Sequence, residues 1–262
     1  MKKAVSLILA LAMMLTAAAA LAETFRQGID PVYDPFSYMD EKGEYIGFDV
    51  ELCKAVCDLN GWEQELVPID WDAKLISLNA NEHDCIWSGM TLTKEMAEQG
   101  FVLSFAYYDN YQVILTKKDS GIESSKDLAG KRVAVQRGTS GAQLLEDPEG
   151  QLELAKTFDG GAPVLMDDFN ICALELDAGS ADAVIVDIPV AKRLAEKYEG
   201  FVVLEENLGS EQYGICFRAG DEELCKKVED ALMKLVEDGT YLALAQKYEL
   251  DESVMCLLPK AE

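Results

Sequence analysis

The apolar pattern changes period several times along the chain. Residues 25–29 make a short strand-like run, closed by the turn-forming stretch Asp30-Pro31-Val32-Tyr33-Asp34-Pro35. Over residues 47–59 the spacing turns helical: Phe48, Val50, Leu52, Val56 and Leu59 share a face, and Asn60-Gly61 ends it. A strand over 65–69 follows, then a helix opened by Trp71-Asp72 and running through Leu78, then a strand over 84–87 that leads into Ser88-Gly89. The pattern then restarts. Strands are expected at 112–116, 132–135, 183–186 and 213–217, and helices at 124–128, after Gly141, and at 168–178, 189–198, 221–237 and 240–248.

Strands alternating with short helices predict βαβ units and parallel sheet, hence an α/β fold built as two lobes. Two long strands near 107–115 and 210–217 are placed to cross between them. Lobe 1 then comprises 23–110 and 211–262, and lobe 2 comprises 111–210. Ligands of open α/β sheets collect at the carboxyl ends of the strands, so the site is expected in the cleft between the lobes.

The first 22 residues change the picture of where this chain works. Lys2 and Lys3 precede an apolar run from Ala4 to Leu15, and Ala20-Leu21-Ala22 is a small-x-small processing site before Glu23. This reads as an export signal, which places the mature chain across the inner membrane, in the periplasm or outside the cell. No cysteine stands where a lipid anchor would be attached. With 23 Lys plus Arg against 48 Asp plus Glu, the net charge is −25, which argues against nucleic acid. His83 is the lone histidine and reads as a surface residue, so multi-histidine metal sites are excluded. Dinucleotide, phosphate-loop and calcium-loop motifs are absent, and no cofactor or metal is expected. The 7 cysteines sit where disulfides are permitted. Two readings stand for them: buried small hydrophobes, or a bridge between Cys57, which ends the first helix, and Cys85, which starts a strand.

Six stretches carry a further signal: GIDPVYDPFSYMDEKGEYIGFDVELCKAV (28–56), PIDWDAKLISL (68–78), DCIWSGMTLT (84–93), DLAGKRVAVQRGTS (127–140), LDAGSADAVIVDIPVAK (176–192) and SEQYGICFR (210–218). In order and spacing they resemble the polar amino-acid-binding proteins of ABC importers, the family 3 extracellular solute-binding proteins. The resemblance implies the two-lobed periplasmic-binding-protein fold (type II), a monomer that closes on one amino acid and hands it to an ABC permease. It also implies ligand roles for Asp30 and Tyr33, a stacking role for Trp71, and a carboxylate-binding loop at Ser88, Gly89 and Thr91. In the second lobe it implies Gln136, Thr139 and Ser140 as the other half of that site, and Asp187 as the acid that pairs with the α-ammonium.

The residues alone leave alternatives open. Gly138-Thr139-Ser140 lies between a strand and a helix, where peptide N–H groups attract an anion, and where Thr or Ser also serves as an ordinary cap. Asp187, at a strand end before Pro189, faces a cleft or caps the next helix. Trp71 stacks on a solute or belongs to the core. Asp30 binds a ligand or only forms a turn, and Ser88-Gly89 is a binding loop or a plain turn at a strand end.

One departure from the family changes the expected ligand. Its loop continues Thr-x-x-Arg, and that Arg grips the ligand carboxylate; here the stretch is Thr93-Lys94-Glu95-Met96. Arg137 is the first substitute and Lys94 the second. Without the Arg, Asp30 and Asp187 are less balanced, which favours a neutral polar or cationic solute. Two other functions fit the same scaffold: an arogenate-type dehydratase using Asp30 or Asp187 as a general acid, and a ligand sensor that signals through a separate receptor.

Overall fold

The computed structural model describes residues 22–259; residues 1–21 lie outside it, and with them the expected export signal apart from Ala22. The first parallel unit consists of β1 (Thr24–Ile29), α1 (Phe48–Asn60), β5 (Glu63–Pro68), α2 (Lys74–Asn79) and β6 (Cys85–Thr91). A small antiparallel sheet of β2 (Val32–Tyr33), β3 (Ser37–Met39) and β4 (Tyr45–Ile46) begins inside the stretch 30–35 that the sequence presented as a turn. After α3 (Lys94–Glu98) and β7 (Val102–Leu103), the long strand β8 (Tyr108–Lys117) leads into the second unit. That unit holds β9 (Val133–Gln136), α4 (Ser140–Glu146), α5 (Leu152–Ala155), β10 (Val164–Met166), α6 (Phe169–Ala178), β11 (Ala183–Asp187) and α7 (Ile188–Lys197). The chain returns along β12 (Phe201–Phe217) to α8 (Glu222–Glu237) and α9 (Thr240–Lys247).

In the main sheet eight strands follow one path, β10-β9-β11-β8-β12-β6-β1-β5, and β7 pairs with β12 beside it. β1 is parallel to β5 and β6, and β9 is parallel to β10 and β11. Between these two parallel triplets lie β8 and β12, antiparallel to each other and to β11 and β6. These are the two crossing strands. β12 is 17 residues long and slips register against β8 between Leu204 and Gly209. The sequence placed this strand only over 210–217; residues 205–209 are mostly polar and break the apolar run, and the strand continues through them by pairing on either side with β8.

Helix α1 buries Phe48, Leu52, Cys53, Val56 and Cys57 against the sheet, and Gly61 ends it in the left-handed conformation. Leu59, expected on that face, is 48% exposed. Phe36, fully buried, is the hub of an aromatic cluster. Its ring centroid lies 5.3 Å from Tyr33, 5.2 Å from Tyr108 and 5.4 Å from Tyr213. The cluster thus joins the small sheet to both crossing strands.

Two expectations need correction. Cys57 and Cys85 are buried free thiols, and no bridge joins them. Burial pushes the Cys85 thiol well above its usual range, which keeps it protonated and slow to oxidise. His83 is fully buried rather than on the surface. Its ring bonds the Ser77 hydroxyl at 2.9 Å and the Cys85 carbonyl at 3.0 Å, so the polar run around it turns inward between α2 and β6.

Removing the hub ring should be costly. Phe36→Ala is expected to lower stability by about 4 kcal/mol in urea unfolding monitored by circular dichroism. A loss below about 1 kcal/mol would show that the cluster collapses around the gap.

Candidate functional site

The ends of β1, β6, β9 and β11 converge between the two units. Asp30, Tyr33, Trp71, Gly89, Thr91, Gln136, Thr139, Ser140 and Asp187 line one narrow cavity there. These are nine of the sequence-derived candidates, drawn from both halves of the chain. Phe169, which the sequence did not single out, joins them. It follows the Asp168 cap of α6, and its ring lies 6.2 Å from that of Tyr33.

Asp187 closes the cavity at the end of β11, opposite Gln112 of β8. Its Oδ1 accepts hydrogen bonds from Asn110 Nδ2, Gln112 Nε2 and the Tyr213 hydroxyl, each at 2.7 Å. The same two amides also donate to Glu211 Oε1, at 2.6 Å from Asn110 and 2.8 Å from Gln112. Thr91 donates its hydroxyl to Glu211 Oε2 at 2.7 Å. A buried carboxylate and a half-buried one therefore share one donor set. Burial, and then the Glu211 charge, raises the Asp187 pKa well above the usual carboxylate range. Glu211, Asn110 and Gln112 were missed in the sequence, although the quoted stretch 210–218 contains Glu211.

Asp30 lies at the end of β1 and is 5% exposed. Its Oδ2 accepts from Gln136 Nε2 at 2.9 Å, a bond between the two halves of the chain. Gln136 Oε1, buried, has no partner. Ser88 stands behind this wall rather than on it: its hydroxyl accepts from the Asp30 N–H at 3.1 Å and meets the Ser37 hydroxyl at 2.5 Å. Thr139 caps α4 by accepting from Ala142 N at 3.2 Å, and donates its hydroxyl to the Gln136 carbonyl at 2.7 Å. Its cap role is thus filled.

Two glycines are dictated by close approach. Gly89 has φ +56°, and a Cβ there would sit 2.3 Å from the Tyr33 ring. Its N–H donates to Asp49 Oδ2 at 2.6 Å, and the Tyr107 hydroxyl donates to the same oxygen at 2.7 Å. Burial pushes the Asp49 carboxyl up to about 7. Gly138 has φ +70°, and a Cβ there would lie 2.7 Å from Asp72 Cα, across the interface between the halves. Beside it, Lys74 donates from Nζ to the Gly138 carbonyl at 2.6 Å and to the Trp71 carbonyl at 3.0 Å, 4.9 Å from the Trp71 ring centroid. Burial pulls the Lys74 ammonium down to about 8.

The expected substitutes for the missing arginine do not reach the cavity. Arg137 turns outward, pairs with Asp167 at 3.2 Å and is 44% exposed along its side chain. Solvent and a paired carboxylate hold it there more cheaply than burial would. Lys94 is exposed on α3, and Met96 is buried in an apolar cluster with Leu78, Ile86 and Met90.

A sequence model of the bacterial extracellular solute-binding proteins, family 3, matches residues 25–251. The chain is 29% identical over 255 residues to the ABC transporter arginine-binding protein 1 of Escherichia coli (strain K12), covering 95% of this chain and 99% of that protein. It is 32% identical over 224 residues to the arginine-binding extracellular protein ArtP of Bacillus subtilis (strain 168), covering 84% of each. Among solved structures, the substrate-binding protein of an ABC uptake transporter from Streptococcus pneumoniae, with bound histidine, aligns with a TM-score of 0.81 at 30% identity, covering 86% of this chain and 92% of that one. The architecture is the two-lobed fold of these binding proteins, with the cavity between the lobes.

The Asp49 carboxyl supplies a test of the loop's support. In the unfolded chain it titrates near about 3.9, so between there and about 7 the folded state holds a proton that the unfolded state has released. Stability is therefore lost as pH rises through that window, by up to about 1.4 kcal/mol per pH unit from this group. Asp49→Asn should flatten the dependence in urea unfolding between pH 4.5 and 7.5. An unchanged slope would refute the assignment.

Proposed function

We propose, on the premise that this chain belongs to the bacterial extracellular solute-binding proteins of family 3, that it captures one polar amino acid, cationic or neutral, between its lobes and delivers it to the permease of an ABC transporter. Lobe 1 is 23–110 with 211–262, and lobe 2 is 111–210. Export by residues 1–22 puts it in the periplasm or outside the cell, where it works as a monomer without a cofactor.

The observation that carries this reading is the placement of Asp187 at the cavity wall, with three donors on one of its oxygens. Donors on one oxygen orient the carboxylate, and a ligand ammonium supplies the charge that its neighbours lack. Asp30 marks the opposite wall, Trp71 and Tyr33 supply flat apolar faces, and Ser140, Thr91 and Gly89 border the space between them. Closure joins the lobes through Gln136 to Asp30 and Lys74 to the Gly138 carbonyl, and the closed form is what a permease reads. The chain acts by binding alone. The dehydratase reading draws on the same Asp187 carboxyl, but Asp187 and Asp30 are already committed to positions that a bound ammonium requires. The relatives named above are binding proteins.

The test is a thermal-shift screen of residues 23–262, refolded from denaturant to remove carried solute, against the amino acids. Arginine, lysine, histidine or glutamine at 100 times Kd should stabilise the fold by about 2.7 kcal/mol, seen as a rise in Tm. No rise with any amino acid would overturn the reading, as would turnover of arogenate. Asp187→Asn should weaken binding of the responding amino acid at least tenfold in calorimetry. Because the Asp187 carboxyl is raised and a cation needs it ionised, affinity for a cationic amino acid should strengthen from pH 6 to pH 8. Weakening over that interval would remove Asp187 from the ammonium site.

A further inference from the structure

We propose that the cleft recognises its ligand through ammonium or guanidinium groups alone and holds no receptor for an α-carboxylate, so that amines such as agmatine and cadaverine bind at least as tightly as arginine and lysine, the amino acids from which loss of the carboxylate would form them. The inference rests on the solute-binding reading above and narrows its substrate class.

The charges around the cavity are one-sided. Asp30 and Asp187 line it, and Glu211 stands beside Asp187 on the same two amides. Among the described residues, no Lys, Arg or His lines the cavity. Met96, at the position of the family's arginine, is packed into an apolar cluster, and Arg137 is paired with Asp167 on the solvent side. Lys74 is the nearest buried cation, and it is committed to the Trp71 and Gly138 carbonyls. A carboxylate brought into this space would give up its water with no cation to meet it, beside carboxylates that repel it.

The uncharged polar groups point the same way. Most donors that a carboxylate would use are spent: Thr91 on Glu211, Thr139 on the Gln136 carbonyl, and the Gly89 N–H on Asp49, while the Ser140 hydroxyl accepts from Gln112 and leaves a single neutral O–H facing the space. The unpartnered atoms are acceptors. Gln136 lines the cavity, is 1% exposed, and leaves Oε1 without a donor. Gln112 Oε1, behind Asp187, is likewise unpartnered. A ligand that donates hydrogen bonds and carries positive charge completes both shortages, and its carboxylate completes neither.

Isothermal titration of refolded residues 23–262 with arginine, agmatine, lysine and cadaverine at one pH and salt concentration decides the matter. The expected result is a Kd for agmatine equal to or below that for arginine, and the same order for cadaverine against lysine. Either amino acid binding more tightly than its amine would overturn the inference and leave the amino-acid-binding reading standing. So would binding of a neutral amino acid such as glutamine with none by the four cations. Silence from all amino acids and amines alike would overturn both.

Discussion

The site hangs on two amide side chains. Asn110 and Gln112, two residues apart on β8, point to the same side of the strand and each donate to both Asp187 and Glu211. Asp187 comes from β11 and Glu211 from β12, the strands on either side of β8. The three strands are thus tied by side chains at the point where the sheet passes from one lobe to the other. Two carboxylates brought this close repel each other, and the shared N–H donors offset that repulsion only in part, which is why the Asp187 proton is held so strongly. The polar end of the cavity is therefore incomplete in charge by construction, and a cation restores the balance. The Tyr213 and Tyr33 hydroxyls, 2.7 Å apart, extend the same network into the aromatic cluster around Phe36, so the chemistry of the site rests directly on the core.

Much of this was legible in the sequence. The alternation of strand and helix and the two crossing strands follow from where the apolar runs end, while the grouping of Asp30, Trp71, Gln136 and Asp187 came from the family resemblance, the residues alone leaving their roles open. What was hidden depended on pairing that local pattern does not encode. The strand expected at 84–87 continues as β6 through Ser88-Gly89 to Thr91, because Met90 and Thr91 pair with Gly214 and Tyr213 of β12. Glu211 lies at the polar start of the crossing strand expected at 210–217, and nothing local shows that its carboxylate shares donors with Asp187. The small sheet of β2, β3 and β4 is masked by Pro31 and Pro35, residues that mark turns. His83 sits in a run rich in Asn, Glu and Asp, and nothing local shows that its ring is turned inward to Ser77. Arg137 failed as a substitute because it opens the turn after β9, where its side chain leaves to solvent and pairs with Asp167.

Closure is written into backbone contacts as much as into the ligand site. Gly138 meets Asp72 so closely that no side chain fits, and Lys74 stitches its ammonium to the Gly138 carbonyl across the same seam. At the other end, Arg193 of α7 reaches Glu249 at 2.6 Å and Asp34 at 3.7 Å, on segments that follow β12 and precede β8. These contacts cost the exposed ends of the interface little and gain little, since half-solvated ion pairs are worth about 0–1 kcal/mol each. The buried Gln136–Asp30 bond and the Lys74 clasp are different in kind, because both must give up water before they form. On the proposed function, a ligand ammonium set between Asp30 and Asp187 lowers the cost of holding those carboxylates out of water, and so favours the arrangement that the clasp completes. Ligand binding and lobe closure then share one proposed cause: charge that the buried carboxylates leave uncompensated.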